Sequence, residues 1–387
     1  MARRGGDPPR VLVTDAADRS VLATCRGLHA AGYEVVVAGC GRFNASHWSR
    51  CCSERLRLAD ARADARRFTD GLRAYLERRP CAAVIAGTDV SLWAISSARE
   101  QLEPLTRLGL PPRPAVEESL DRQALARAAS SAGLEAPCSV RCEDPDQAIA
   151  LAGELGYPLL LKSVRTVRER SPSVEPGANT QRIDTPADLR SALATAQPPF
   201  LLQRSEAGTP LSVGGVVADG RLLGLACSRY RRTWPPLKGN AAFSTTIEPP
   251  DGLDQRVLAL VLELGWEGIF ELELIEMRRG ALVAIDFNPR PYGSMALAIA
   301  AGANLPALWC DWLLGRPADP ARARAGRSYR WEDADLRHLV WQLRRGNWRA
   351  ALGVARPHRA VVHPHFAASD PLPLLARALW LLGGRRL

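Results

Sequence analysis

With 387 residues the chain is too long for one ordinary domain, and 47% hydrophobic against 24% charged residues gives globular cores rather than a low-complexity or disordered polymer. The formal net charge of +10 would suit nucleic acid, but the basic residues are scattered without interleaved aromatics, so no nucleic-acid partner is expected. No membrane span is expected either, because no apolar run reaches about eighteen residues.

Residues 1–10 lead directly into the strand-like Val11-Leu-Val-Thr14, without the pattern of a secretory leader. The nine cysteines, including Cys51-Cys52 and Cys138-x3-Cys142, lack zinc spacing and read as the reduced thiols of a cytoplasmic protein. From residue 10 to 112 strand and helix signals alternate: strands at 11–14, 34–38 and 81–86, helices at 19–31, 64–79 and 90–101. This is the pattern of a parallel, doubly wound α/β unit. The first turn, Thr14 to Ser20, lacks the glycines that admit a pyrophosphate, so no dinucleotide site is assigned.

Pro111-Pro-Arg-Pro114 marks a boundary. Helices follow at 120–132 and 144–155, then a buried strand, Tyr157-Pro-Leu-Leu-Leu-Lys162. Residues 163–180 read as an irregular, basic loop of the kind that serves as a functional flap. A strand (181–183), a helix (186–196) and a strand (200–203) come next. From Glu206 the pattern turns antiparallel, with strands at 211–217 and 221–230, and the run Arg229-Tyr-Arg231-Arg232 leads to Trp234-Pro-Pro-Leu-Lys238. Helices are expected at 253–264, 294–301 and 305–314, and in the Arg-rich tail at 331–345 and 371–382, the last packing on the protein. The expected domains are 1–112, 113–205, 206–325 and a helical extension at 326–387.

Only two of the 51 basic residues are lysines, Lys162 and Lys238. A lysine kept against so strong an arginine bias is a candidate for work that a planar fork cannot do. The other candidate site is the stretch from Gly268 to Ser294, which reads as two strands. In the first, Phe270, Leu272 and Leu274 alternate with Glu271 and Glu273; in the second, Asp286 and Asn288 share a face. Paired around Arg278-Arg-Gly280, they gather up to three carboxylates and an amide, a repulsive patch unless a cation sits among them. Oxygen ligands without Cys or His suit Mg²⁺ bound with phosphate.

A lysine strand, a basic flap, Gln203-Arg-Ser-Glu206, then a Glu strand and Asp286-Phe-Asn288-Pro-Arg290 resemble, in this order, the ATP-grasp superfamily over roughly residues 10–320. The pattern is similar to that of carboxylate-amine ligases related to the large subunit of carbamoyl-phosphate synthase. Their Trp-Pro-Pro-x-x-Gly motif reads Trp234-Pro-Pro-Leu-Lys-Gly239 here, and their Asn-Pro-Arg segment runs from Asn288 through Ser294 to Gly302. The resemblance implies a Rossmann-like N-terminal domain followed by a two-part ATP-grasp fold, with ATP and Mg²⁺ (or Mn²⁺) as cofactors. It further implies that Lys162, with Arg122 in place of the usual lysine, holds phosphates, and that Gln203, Arg204, Ser205 and Glu206 read adenine. Glu273, Asp286 and Asn288 would be the metal ligands, and Arg290 would steady the transferred phosphoryl group. Arg229, Arg231, Arg232, Lys238 and Ser294 are candidates for the substrate side. The implied reaction joins a small-molecule carboxylate to an amine through an acyl-phosphate, in a cytoplasmic enzyme expected to be a dimer. Two other readings stand beside it: an ATP-grasp enzyme activating bicarbonate, and a degenerate, non-catalytic nucleotide binder. The motives for the second are Asp286, where relatives carry Glu, and a flap without the usual glycines.

Overall fold

The computed structural model describes residues 7–170, 173–176, 180–236, 239–356, 358 and 360–383. The N-terminal part is a five-stranded parallel sheet in the order Glu54–Arg57, Glu34–Gly39, Arg10–Val13, Ala83–Ile85, Arg107–Leu108. Its central strands are Val- and Ile-rich and buried on both faces, as a sheet between two helical layers requires. Helix starts are fixed by side chains: Asp18 caps Arg19–Ala30, Asp64 caps Ala65–Arg78, and Thr88 with Ser91 forms a capping box on Asp89–Ser97. The two outer strands, absent from the sequence reading, are short and charged, as edge strands often are.

A small antiparallel sheet follows, in the order Gln181–Ile183, Leu159–Ser163, Phe200–Arg204, Ser139–Cys142. It has its own core, in which Leu159, Leu161, Phe200 and Leu202 pack against helices Pro145–Leu155 and Pro186–Leu193. Between its strands, the segment read as an irregular loop instead forms a two-stranded antiparallel ribbon, Val167–Arg170 with Ser173–Pro176. The ribbon lies against helices Ala65–Arg78 and Asp89–Ser97, and Val167 is buried there. Its base is tied to the start of helix Arg122–Ser131, because the N–H groups of Arg122 and Thr166 donate to the carbonyls of Val164 and Leu120.

The large sheet runs Leu282–Asn288, Gly268–Glu276, Thr209–Ala218, Arg221–Trp234, Asn240–Thr246, Ser328–Arg330, Val361–Val362, with Ala321–Arg322 paired to the fourth of these. Phe270 and Phe287 stack at 5.8 Å beneath Trp266, forming one core with helices Arg122–Ser131 and Leu253–Glu263. On the sheet's other side, helices Met295–Ala300 and Leu305–Leu313 pack against helix Arg19–Ala30, so the first and last sheets share a second core. Gly214 makes room for Tyr292 to lie across the sheet, since a Cβ there would come 2.0 Å from the phenol oxygen.

The tail is more ordered than its weak periodicity implied. Besides helices Glu332–Arg344 and Leu372–Gly383 it carries Trp348–Ala355. Two buried aspartates anchor it. Asp335 accepts both arms of Arg232, at 2.8 and 2.9 Å, with Arg330 at 3.0 Å; Asp370 accepts Arg26 at 2.9 Å and Ser49 at 2.7 Å. All nine cysteines are free, and no helix among the described residues is long and apolar enough to cross a membrane. Asp335→Ala would strand the largely buried Arg232 guanidinium, whose side-chain hydrogen bonds among the described residues all go to Asp335, while Arg330 keeps bonds to the carbonyls of Val354 and Arg356, so a loss of about 3 kcal/mol is expected in urea denaturation. Asp370→Ala should shift the same transition less, because its partner Arg26 keeps bonds to the carbonyls of Pro364 and His365.

Candidate active site

The hairpin of strands Gly268–Glu276 and Leu282–Asn288 sets Glu273 opposite Asp286 and Glu271 opposite Asn288. Immediately beyond, Leu274 faces Ala284, so Ile285 is the extra residue of a β-bulge. Left out of the ladder, the Ile285 carbonyl accepts Lys162 Nζ at 3.2 Å. The bulge thus joins the lysine of the small sheet to the carboxylate strand of the large one.

The three carboxylates are unequally satisfied. Glu271 is buried and accepts Ser212 Oγ at 2.8 Å and Asn288 Nδ2 at 3.1 Å. Glu273 accepts only the Tyr230 hydroxyl, at 3.2 Å, and burial together with Glu271 and Asp286 pushes its pKa up to about 8. Asp286 Oδ1 is enclosed without a hydrogen-bond donor, although Arg122 Nε stands 3.7 Å away. The rest of Arg122 is turned to Ser163, donating to its carbonyl at 2.8 Å and its hydroxyl at 3.1 Å. Lys162 is 5% exposed; burial lowers its pKa to about 8, with Asp286 and Glu273 opposing that shift and Arg122 adding to it.

This arrangement fits a divalent cation. Asp286 has an orphaned buried oxygen, the Glu273 carboxyl is pushed up by burial and by its neighbours Glu271 and Asp286, and both side chains are hard oxygen donors. Among the described residues no three His, Cys, Asp or Glu side chains could hold a metal unaided, so phosphate and water oxygens would complete the shell. Asn288 Oδ1 accepts Arg290 Nη2 at 3.2 Å, a bond that ligation would have to share.

Arg290 is held by a residue that sequence reasoning missed. Its Nε and Nη2 reach the two oxygens of Asp89 at 2.7 and 3.3 Å. Burial opposes its charge, but Asp89, Asp18 and Glu271 outweigh burial and keep the pKa above its ordinary value. Asp89 opens a capped helix 201 positions earlier, and nothing in its local sequence marks it as the partner of Arg290. Two more N-terminal residues stand out, of which Arg19 reaches the same cleft. Arg19 donates to the Gly293 carbonyl at 3.2 Å and lies 3.8 Å over the ring of Trp331. Asp15 sits at the end of the first strand with φ +66°, its carboxylate held by Thr14, Ser91 and the Gly87 N–H. A non-glycine residue in that conformation stores strain of the kind found at functional sites, and Thr14-Asp15 in the first βα turn was its only sequence signal.

The other candidate residues are scattered. Gln203 is buried at the end of strand Phe200–Arg204, and the N–H groups of Arg204 and Ser205 donate to the Cys138 and Pro158 carbonyls. Among the described residues the N–H groups of Glu206 and Ala207 make no backbone bond. Arg229 pairs with Glu276 at 2.6 Å, and Arg232 is committed to Asp335 and stacks 4.5 Å from Phe243. Of that arginine run only Arg231 is exposed, so the cluster is a structural strand rather than a converging anion cradle. Ser294 is buried at the start of helix Met295–Ala300, and Lys238 lies outside the described residues. His363 and His365 both face Glu332, at 3.7 and 3.3 Å.

A parallel N-terminal sheet, a small antiparallel sheet bearing a lysine and a ribbon, and a large sheet bearing a carboxylate hairpin constitute the ATP-grasp fold. No family model and no curated protein matches the chain. Solved structures do. It is similar to an L-amino acid ligase from Bacillus licheniformis, with TM-score 0.62 and 15% identity, over 84% of this chain and 79% of that one. It is also similar to N5-carboxyaminoimidazole synthetase from Staphylococcus aureus, with TM-score 0.61 and 13% identity over 83% and 80% of the two chains. Biotin carboxylase from Campylobacter jejuni gives 0.62 and 13% over 82% and 74%.

Because only two lysines are present, ¹³C-dimethylation followed by NMR resolves Lys162 directly. One lysine signal of the ligand-free protein should titrate near pH 8, and Glu273→Gln, which removes a neighbouring negative charge, should move it lower. A midpoint at ordinary lysine values would contradict the buried, cation-poor site described.

Proposed function

We propose that the chain is an ATP- and Mg²⁺-dependent ligase that joins a carboxylate to an amine, releasing ADP and phosphate. The observation that carries this reading is the meeting of Lys162, Arg122, Glu273, Asp286 and Arg290, drawn from a strand of the small sheet, a helix and the hairpin with the segment that follows it, around an incompletely neutralised carboxylate pair. Such a group suits phosphoryl transfer, which needs positioning and charge neutralisation more than covalent help from the protein.

In this reading Lys162 and Arg122 hold the α and β phosphates, the lysine exchanging its bond to Ile285 for phosphate oxygen. Adenine lies at the hinge, Gln203 to Glu206, where the carbonyls and the N–H of Glu206 and Ala207 are the groups left to read it. Glu273 and Asp286, with Asn288, would hold Mg²⁺; when bound, it neutralises the charge on the transferred phosphoryl group. Arg290, aimed by Asp89, stabilises that group and then the acyl-phosphate, from which an amine displaces phosphate. The ribbon 167–176 closes over the phosphates, and the N-terminal domain supplies part of the acceptor pocket through Asp15, Arg19 and their neighbours. The domain limits proposed are those expected from sequence, and the location is cytoplasmic.

A second reading, activation of bicarbonate, is favoured by one finding: carboxyaminoimidazole synthetases and a biotin carboxylase share the fold with similar scores. ADP release screened across pooled carboxylates and amines, with and without bicarbonate, separates the two. Dependence on an acid and an amine is expected, and Asn288→Ala and Arg290→Ala should each lower the rate by about a hundredfold or more. Unchanged ADP release in both variants would remove these residues from the site. Bicarbonate dependence without amine dependence would keep the fold and replace the reaction.

A further inference from the structure

The tail carries an apolar face that none of the described residues covers. On helix Glu332–Arg344 the inner side is Ala334, Asp335 and His338, while Leu336, Val340 and Leu343 are exposed by 62%, 39% and 38%. Their spacing of four and three residues makes one stripe. The next helix, Trp348–Ala355, repeats the arrangement: Ala351 and Val354 face inward, and Trp348 and Leu352 stand outward, each 66% exposed. A helix apolar on both sides belongs in an interior or against an apolar medium. The two helices pack side by side, and the five outward residues are all on their solvent side.

Beyond the first turn, where Glu332, Asp333 and Asp335 are already paired with His365, Arg377 and Arg232, the charge around this face has one sign. Residues 336–369 contain six arginines and no Asp or Glu. Arg344, Arg345 and Arg349 are exposed beside the stripe, and the Arg345 guanidinium lies 5.0 Å over the Trp341 ring, its stem along apolar surface and its charge at the rim. A second copy docked face to face would bring arginine against arginine. An exposed tryptophan, protruding leucines and a rim of arginines match instead the boundary between acyl chains and anionic headgroups.

We propose that helices Glu332–Arg344 and Trp348–Ala355 form a docking surface for an anionic lipid bilayer, so that the protein binds peripherally at a membrane. The surface inserts Trp348, Leu352, Leu336 and Val340 shallowly and sets Arg344, Arg345 and Arg349 among phosphates. It is independent of the catalytic reading, because none of these residues faces the cleft.

Co-sedimentation of the full chain with vesicles of phosphatidylcholine, alone or mixed with phosphatidylglycerol, tests this. Binding to the mixed vesicles, weakening as salt rises, is expected. Reversing three charges (Arg344→Glu, Arg345→Glu, Arg349→Glu) should weaken it at least about a hundredfold, roughly fivefold for each arginine near an anionic surface. Leu352→Glu should also release the protein, with thermal unfolding close to that of the parent because the side chain is already in water. Failure to bind mixed vesicles, or equal binding to neutral ones, overturns the proposal. So does a dimer in light scattering that Leu352→Glu converts to monomer, which would assign the face to a second copy. Capture of an acidic protein without vesicle binding overturns it equally.

Discussion

The molecule is organised around a local excess of negative charge that the fold does not neutralise. Glu271, Glu273 and Asp286 stand on two paired strands over the stacked rings of Phe270 and Phe287. Carboxylates this close cannot all ionise in a poorly solvated site, and the structure resolves the conflict unequally. Glu271 takes the donors, from Ser212 and Asn288; Glu273 keeps a proton; Asp286 is left with an unmatched oxygen. The cations nearby are held slightly off. Lys162 rests on a bulge carbonyl, Arg122 on Ser163, and Arg290 on Asp89. Phosphates and a divalent ion would complete this charge set, and its two shifted groups make stability depend on pH. Because its folded pKa is raised from 4.5 to about 8, Glu273 contributes stability below pH 4.5 that is lost as pH rises towards 8. Lys162, lowered from 10.5 to about 8, has the opposite balance: it costs stability while charged in the fold, and that cost is relieved as pH rises from 8 to 10.5.

Holding such a site demands rigid walls. Two cores shared with the first sheet fasten the large sheet to the N-terminal domain, and the Arg290 to Asp89 fork crosses the same boundary. The tail adds a third fastening, with Asp335 gripping Arg232 and Arg330 in the large sheet and Asp370 gripping Arg26 and Ser49 in the N-terminal domain. The small sheet, with its own closed core, touches this body through the base of the ribbon and through Lys162. That is the arrangement of a part able to move against a fixed one.

Much of this was legible in the sequence where a single element carries the signal. The alternating Glu strand, the Asp-x-Asn-Pro-Arg strand and Lys162 fixed the hairpin and its lysine, because strand periodicity places side chains on faces without tertiary knowledge. What distance hides was not legible. Asp89 lies 201 residues from Arg290, and the bulge that sends the Ile285 carbonyl to Lys162 has no residue signature. The partners of Arg229 and Arg232 were hidden for a related reason: a fork that looks available in sequence is already matched by Glu276 or Asp335 once the strands and tail assemble. The ribbon of Val167–Arg170 and Ser173–Pro176 was read as irregular because its short, largely polar strands carry little hydrophobic pattern.

The central claim is that Glu273 keeps its proton until magnesium and nucleotide arrive. Calorimetric titration of a non-hydrolysable ATP analogue at pH 7, repeated in buffers of different ionisation enthalpy, reads that proton directly. Binding should require Mg²⁺ and release about one proton, and Glu273→Gln should abolish the release. Binding that ignores Mg²⁺, or that releases no proton in the parent protein, would contradict the account.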